Sequence, residues 1–216
     1  MRIPPVTLLL PLVMACGGAN APPSTASNPD ARPLASLAAQ RVVVTPTYAL
    51  TVASDLGWGS RIGRARDVLR TMDADIAAAL DDRGLRRGWV LASDLAQSYT
   101  RNPTYAADPY ALAEEPLRSS TFTVGARLPE PLASQLRTMI ALHENARLVL
   151  APVELRFERA GAGSPAARAT LRLALLDPRF SEARWVGEVR GDTSSTFSPE
   201  LTASVALRLV DLIAQR

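Results

Sequence analysis

The chain has 216 residues, of which 47% are hydrophobic, and its formal net charge at pH 7 is +3. All 24 basic residues are arginines, and they are interspersed with the 21 acidic residues rather than gathered in a run. A protein that binds DNA or RNA needs a basic run or patch to contact phosphates, so we expect no nucleic-acid partner. The length suffices for one sizeable domain with a short additional segment.

The amino terminus has the pattern of a lipoprotein signal peptide, which we predict over residues 1–15. A charged start at Arg2 is followed by a short apolar core and then by the small residue Ala15. The core is too short to cross a hydrocarbon layer of roughly 30 Å, which needs about 20 apolar residues, so a secretory signal is favoured. Val13-Met14-Ala15-Cys16 resembles the bacterial lipobox, whose cysteine is acylated, and we predict lipidation of Cys16. The alternative is an ordinary signal peptide with an incidental cysteine.

A flexible tether is predicted next, so that residues 16–40 comprise the lipidated cysteine and a linker. This segment is rich in Gly, Ala, Pro, Ser and Asn, and it has almost nothing large and apolar to bury. Packing therefore cannot offset the entropy lost on ordering it. Gly17 follows Cys16, whereas an aspartate there would signal retention in the inner membrane. We expect a lipid-anchored protein of the bacterial cell envelope that faces the periplasm, at the outer membrane.

One α/β domain is predicted over residues 41–216. A β-branched run at 41–44 predicts a strand that ends at Pro46, because proline lacks the amide that a central strand needs. From 64 to 82 apolar residues recur at helical spacing, and Gly84 is placed to end that helix.

A short strand is predicted next at 89–91, and Asp94 is placed to cap a brief helix after it. Residues 102–129 contain four prolines and predict an irregular insert. A second long helix is predicted from Pro131, a residue suited to a first helical turn.

Three strands and a helix are predicted for the rest of the chain. An apolar run from 148 to 158 and alternating patterns over 167–175 and 183–189 are separated by short turns. We expect an antiparallel meander whose outer face, including Thr170, is more exposed than the first strand. Ser198 is predicted to cap the last helix. The fold class is thus α/β: a single mixed sheet of about five strands, three main helices, and a C-terminal meander with a final helix.

Several segments follow, in order and pattern, the elements of a known group of domains: Val42-Val43-Val44-Thr45-Pro46, Ala79-Leu80-Asp81-Asp82-Arg83-Gly84, Gly88-Trp89-Val90-Leu91, Ala146-Arg147-Leu148-Val149-Leu150, and 171–177 with 183–187. The chain resembles periplasmic lipoprotein domains such as the amino-terminal domain of TolB, the curli-secretion lipoprotein and the lipoprotein activators of penicillin-binding proteins. The resemblance covers residues 41–214 and implies no catalytic residue. The insert at 102–129 departs from the group's pattern.

Catalytic constellations are sparse in this sequence. His143 is the single histidine, and we place it near a helix C-terminus, where the helix dipole favours the protonated imidazole. No Ser–His or Cys–His arrangement and no metal-ligand spacing is visible, so we expect no cofactor and no metal. An enzyme would have to be a hydrolase that uses Asp94 or Asp108 together with His143.

Two further patterns have ordinary interpretations. The glycines around Trp58 resemble a phosphate-binding loop, but the lysine and the spacing of such loops are missing. The neighbouring pairs Asp81-Asp82 and Glu114-Glu115 point in different directions along the chain, and we expect them to be solvated.

The most distinctive stretch for binding lies inside the insert. Tyr105, Asp108 and Tyr110 are flanked by two prolines, which would make a stiff loop that presents aromatic side chains to a partner. The alternative is that both tyrosines pack a long connection against the sheet. The edge of the meander is a second possible peptide-binding surface.

The sequence therefore favours a non-catalytic accessory or binding module of cell-envelope assembly or transport, anchored to the membrane through Cys16 and with an envelope protein as partner. The alternatives left open are a small-molecule-binding domain and a periplasmic hydrolase.

Overall fold

The computed structural model describes residues 34–143 and 146–214 and contains one mixed β-sheet with helices on both faces. The predicted signal peptide, Cys16 and most of the predicted tether lie outside the described residues. The strands are β1 (Val42–Val44), β2 (Ala49–Val52), β3 (Trp89–Val90), β4 (Leu148–Arg159), β5 (Ala167–Asp177) and β6 (Glu182–Ser194). The helices are α1 (Gly59–Ile62), α2 (Ala65–Asp82), α3 (Ala92–Arg101), α4 (Leu132–Ala141) and α5 (Glu200–Ile213). The predicted fold class is confirmed.

The sheet order is β3-β1-β4-β5-β6, and β2 also pairs with β4. β1 is parallel to β3 and to β4, and β2 is parallel to the second half of β4. β1 and β2 thus form one broken line beside β4. Two backbone hydrogen bonds flank the break: the Thr45 amide donates to Leu150 O at 3.2 Å, and the Tyr48 amide donates to Pro152 O at 3.0 Å. Pro46, which has no N–H, lies between these two residues and interrupts the ladder. The sequence analysis did not predict β2.

The predicted antiparallel meander is confirmed, since β4 pairs with β5 and β5 pairs with β6. Its predicted exposure is wrong for β5. Thr170 is fully buried and donates a hydrogen bond to Glu158 Oε1 at 2.7 Å. Ala174 and Leu176, farther along the same face, are also fully buried. This face is covered because α4 and the insert pack against it.

One face of the sheet is covered by the two longest helices. α2 and α5 bury apolar stripes against the sheet and against each other, and they enclose a cluster in which the rings of Phe157 and Phe197 are 5.4 Å apart. Leu34 and Leu37 are fully buried in the same core, from a 3-10 helix at Ala35–Ala39. The packed part of the chain therefore begins before residue 41, the predicted boundary, because these two leucines supply the apolar surface that anchors it.

The opposite face is covered by α4 and by the insert at 102–129. The insert is irregular, as predicted, with a 3-10 turn at Glu115–Arg118. It buries four large side chains against the sheet and α4: Leu112, Leu117, Phe122 and Leu128. This face is therefore packed as a core although regular structure covers only part of it.

Helix ends agree with the sequence predictions in one case and differ in two. Gly84 follows α2 with a φ of 67°, in the left-handed region where glycine is favoured. Asp94 is the third residue of α3 rather than its cap, and its carboxylate accepts the Leu91 amide at 2.8 Å. α5 is preceded by Pro199, so Ser198 lies one residue too early to cap it, and no side-chain cap bond is formed.

Candidate functional site

A cleft opens at the break between β1 and β2. Its cavity measures about 240 Å³ and is bounded by the break, by α2 and by the insert. The polar and aromatic residues that line it are Thr47, Tyr48, Arg66, Arg70, Asp73, Tyr110 and Glu114. Residues from α2, from the insert and from the β1–β2 break thus line a single opening.

The topology of the sheet explains why an opening forms there. From β1 and β2 the chain crosses through α2, on one face, to β3, and it returns through α3, the insert and α4, on the other face, to β4. β3 and β4 flank β1 on opposite sides. The two crossover connections therefore diverge to opposite faces of the sheet at the carboxyl end of β1, which makes it a topological switch point. In open α/β sheets ligands bind in the crevice at such a switch point.

Asp73 projects from α2 toward the break and is fixed by Thr47. Asp73 Oδ1 accepts the Thr47 amide at 2.7 Å and the Thr47 hydroxyl at 2.6 Å. Burial raises the pKa of Asp73 to about 6, against the lowering effect of these two hydrogen bonds. Both bonds go to Oδ1, and no hydrogen bond among the described residues uses Oδ2. At neutral pH the group remains mainly an anion.

Glu114 is the most unusual group in the cleft. Its side chain is only 2% exposed, and Oε2 is buried with no hydrogen-bond partner in the described part of the chain. Burial raises its pKa to about 8; the nearby Thr45 hydroxyl opposes this rise and the charge of Asp73 adds to it. Thr45 Oγ1 is itself buried and makes no bond of acceptable geometry. Glu114 is therefore mainly protonated at neutral pH, since the uncharged acid costs less to bury.

The expectation that Glu114 and Glu115 are both solvated is wrong for Glu114. The 3-10 turn that begins at Glu115 buries Leu117 completely, and this fixes Glu114 on the inner side of the turn. Glu115 is exposed. Adjacent carboxylates do point in different directions, but one of the two directions is inward.

The α2 side of the cleft, which carries Asp73, also carries positive charge. Arg66 and Arg70 are four residues apart on α2 and so share one helix face. Both are exposed, and neither forms an ion pair or hydrogen bond with any residue that the structure describes. Every ion pair among the described residues uses an arginine, as with Arg83 and Asp211 at 2.7 Å. Two unpaired guanidinium groups beside a cavity are available for an external anion.

Of the three residues predicted to bind a partner, the structure brings one into the cleft. Tyr110 lines the cavity and is 51% exposed. Asp108 Oδ1 accepts the Tyr110 amide at 2.9 Å, so Asp108 fixes the turn that presents Tyr110. Tyr105 is 74% exposed and does not line the cavity. The proposed role of these residues in partner binding stays a prediction.

The constellation of His143 with Asp94 or Asp108 is not assembled in the described residues. The Asp94 carboxylate is held by Arg86 at 2.9 Å and by the Leu91 amide, and the Asp108 carboxylate by the Tyr110 amide. The expectation that His143 favours its protonated form is also wrong. Burial and the charge of Arg41 lower its pKa, and they outweigh the opposing charge of Asp94.

The glycine-flanked segment around Trp58 is part of the core. The Trp58 ring packs edge-on against Phe157, with centroids 6.0 Å apart. Gly57 and Gly63 adopt positive φ angles of 64° and 70°, which explains two of the glycines in this segment.

Sequence reasoning did not find the Thr47, Asp73, Glu114 and arginine set. The one local signal was the i, i+4, i+7 spacing of Arg66, Arg70 and Asp73, which places all three on one face of a helix. Glu114 gave no local signal, because its burial depends on contacts with a strand end far away in the sequence.

No helix among residues 34–143 and 146–214 is both long and apolar enough to cross a membrane. Within the same residues no group of three or more His, Cys, Asp or Glu side chains is arranged to hold a metal ion.

Comparisons with known proteins give only a distant likeness. No protein-family model and no curated protein matches the chain. A solved structure of the PelC dodecamer from Paraburkholderia phytofirmans aligns with a TM-score of 0.40 and 14% identity, over 83% of this chain and 91% of that one. A point variant of the same PelC dodecamer aligns with a TM-score of 0.35 and 10% identity, over 82% and 91%. With TM-scores below 0.5, nothing about function or assembly is carried over from these two structures.

Proposed function

We propose that the chain is a lipid-anchored accessory protein of the bacterial cell envelope that binds its ligand in the cleft at the β1–β2 break and catalyses no reaction. Its placement in the envelope rests on the lipobox-like Val13-Met14-Ala15-Cys16 and on the resemblance to periplasmic lipoprotein domains. Its role in binding rests on the cleft. In this proposal Cys16 carries the lipid at the outer membrane and the domain faces the periplasm.

The observation that carries the binding proposal is the cleft at the switch point of the sheet, with two arginines on its wall, Arg66 and Arg70, that pair with no described residue. An exposed guanidinium group beside a cavity can form a charge-assisted hydrogen bond with an entering anion. Asp73 and Glu114 line the same cavity and add polar groups that a ligand can contact.

A hydrolase is the second candidate. Its catalytic groups would be the two acids of the cleft, Asp73 and Glu114, rather than His143. Burial raises the pKa of Asp73 to about 6 and that of Glu114 to about 8. At neutral pH one group of the pair can therefore accept a proton while the other can donate one, which is the division of roles in many carboxyl hydrolases. We place binding first because Arg66 and Arg70, which pair with no described residue, favour the holding of an anion at this cavity.

Anchoring is tested by feeding cells an alkyne-tagged fatty acid and isolating the protein. The wild type should be labelled, and Cys16→Ser should not be. Equal labelling of both proteins, or of neither, would contradict lipidation at Cys16.

Binding in the cleft is tested by photo-cross-linking in intact cells. Benzophenone-bearing phenylalanine replaces Tyr110 in one variant and Tyr105, which lies outside the cavity, in the control. Mass spectrometry should find an adduct on the peptide around position 110 only. The cleft is not the binding site if the two positions give the same adducts or if neither gives any.

Catalysis is tested on the purified protein with chromogenic 4-nitrophenyl phosphate and 4-nitrophenyl glucuronide. We expect no turnover above the uncatalysed rate. Turnover that disappears in Glu114→Gln but persists in Glu115→Gln would establish the hydrolase instead.

A further inference from the structure

We propose that the cleft binds a small anion that also carries hydroxyl groups, with the chemistry of an acidic sugar, and that Arg66 and Arg70 hold its carboxylate or phosphate. The inference rests on the proposed function above, since it names the ligand class of that site. A uronic acid and a sugar phosphate are two sources of the same chemistry.

The anionic part of the ligand follows from the charges around the cavity. At neutral pH the lining carries two guanidinium charges and essentially one carboxylate charge, that of Asp73. Because Arg66 and Arg70 have no ion-pair partner among the described residues, an entering anion would gain two charge-assisted contacts without breaking any. A cationic ligand would instead meet a net positive lining, and an uncharged one would leave both arginines unused.

The hydroxyl groups follow from the two acids at the inner end. Asp73 Oδ1 is already saturated by Thr47, so Oδ2 is left as an acceptor. Glu114, which lines the same cavity, is a donor when it is protonated. A ligand hydroxyl both donates and accepts, and it therefore satisfies the two groups together. A simple anion such as phosphate meets the arginines but is repelled by Asp73.

The size and walls of the cavity set the scale of the ligand. A cavity of about 240 Å³ holds one small ring rather than an oligomer. Tyr48 and Tyr110 are both partly exposed at its wall and offer flat apolar faces with polar tips. The apolar face of a sugar ring fits such a surface while its hydroxyls remain free to form hydrogen bonds.

The test is isothermal titration calorimetry at pH 7 on the full lipidated protein in detergent. The probes are D-glucuronate, glucose 6-phosphate, glucose and inorganic phosphate. The test variant is Arg66→Gln with Arg70→Gln, and the control is Arg61→Gln with Arg87→Gln, which removes two exposed arginines that do not line the cavity. Melting temperatures of both variants confirm that they fold.

We expect one or both acidic sugars to bind at least about tenfold more tightly than glucose and than phosphate, as two charge-assisted contacts allow. The double cleft variant should lose about tenfold or more in affinity for the acidic sugar, and the control less than about twofold. Binding of glucuronate but not glucose 6-phosphate, or the reverse, identifies which source supplies the anion.

Three results would overturn the proposal. Glucose that binds as tightly as glucuronate would mean that the arginines do not contact the carboxylate of the ligand. Phosphate that binds as tightly as glucose 6-phosphate would leave a bare anion site. If no probe binds, the ligand class is wrong; an adduct at position 110 but not at 105 in cells would then still support the cleft, whereas its absence would also remove the proposed function.

Discussion

The two faces of the sheet are built in different ways. On one face α2 and α5 bury regular apolar stripes around Phe157 and Phe197. On the other face an irregular insert and α4 together cover the sheet, and the turn of the insert carries the buried acid Glu114. The regular face is stabilised mainly by buried apolar area, although it also buries Thr202 and Ser204 of α5 and the Asp75 Oδ2 atom of α2. The irregular face accepts an unfavourable buried polar group and gains a cleft, as is common where structure serves binding.

The largest effect is expected from removing the ring of Phe157, which lies in the core of the regular face. Phe157→Ala should lower the free energy of unfolding by about 3–5 kcal/mol, because it leaves a cavity among rings that pack against it. Urea denaturation measures the change. Phe180→Ala, which removes the same side chain from a position that is 59% exposed, should cost less than about 1 kcal/mol. Equal costs at the two positions would mean that the core is not packed as described.

On the irregular face the matching test is the pH dependence contributed by Glu114. Its pKa is raised from 4.5 to about 8, so between these values the native state binds more protons than the unfolded state. Stability should therefore fall as pH rises from 4.5 to 8, and the penalty is absent below 4.5. At about 1.4 kcal/mol per pKa unit, the loss is on the order of 3 kcal/mol or more.

Glu114→Gln should remove this contribution, since the amide does not ionise. Urea denaturation at pH 5 and pH 8 measures the difference for the wild type, for Glu114→Gln and for the exposed control Glu115→Gln. We expect a flatter profile in Glu114→Gln alone. The same slope in all three proteins would show that Glu114 ionises freely in the fold.

A third test separates the two tyrosines of the insert. Tyr110→Ala should weaken ligand binding by about 2 kcal/mol, the scale of an anchoring aromatic, because Tyr110 lines the cavity. Tyr105→Ala should change it by less than about 0.5 kcal/mol. The calorimetric titration with acidic sugars, together with melting temperatures, measures both. If Tyr105→Ala has the larger effect, the binding surface lies on the outer side of the insert.

The smallest effect concerns the position of Asp73. Thr47→Val removes the hydroxyl that donates to Asp73 at 2.6 Å, and because this bond lowers the pKa of Asp73, that pKa should rise above about 6. Stability should fall by about 1 kcal/mol, as for one lost hydrogen bond. Carboxyl NMR titration follows Asp73 directly. Thr71→Val, at an exposed position that bonds only to the helix backbone, should leave the pKa unchanged.

Sequence reasoning was most successful where local periodicity decides the structure. The stripe of Val68, Met72, Ile76 and Leu80 places α2 within one residue of its observed start, because the same spacing that defines a helix also defines its buried face. The meander strands were found for the same reason. Their burial was not, because exposure depends on what packs on top.

The cleft was beyond sequence reasoning for a related reason. β2 pairs with β4 about a hundred residues later, and Glu154 accepts a hydrogen bond from Thr51 at 2.6 Å across that distance. Glu114 meets the β1–β2 break only after α2, β3 and α3 have brought the insert back to it. Neither relation leaves a periodic signal, so the polar residues of the site look like ordinary surface residues in the sequence.

The burial of Leu34 and Leu37 has a mechanical consequence. If Cys16 carries the lipid, the stretch of chain between the bilayer and the packed domain ends at Leu34 and not at residue 40. About 18 residues can span at most about 60 Å when fully extended, at roughly 3.3–3.6 Å per residue. The distance of the domain from the membrane surface would therefore be limited by the length of this stretch. The packing of Leu34 and Leu37, rather than the composition of the tether, would set that maximum distance.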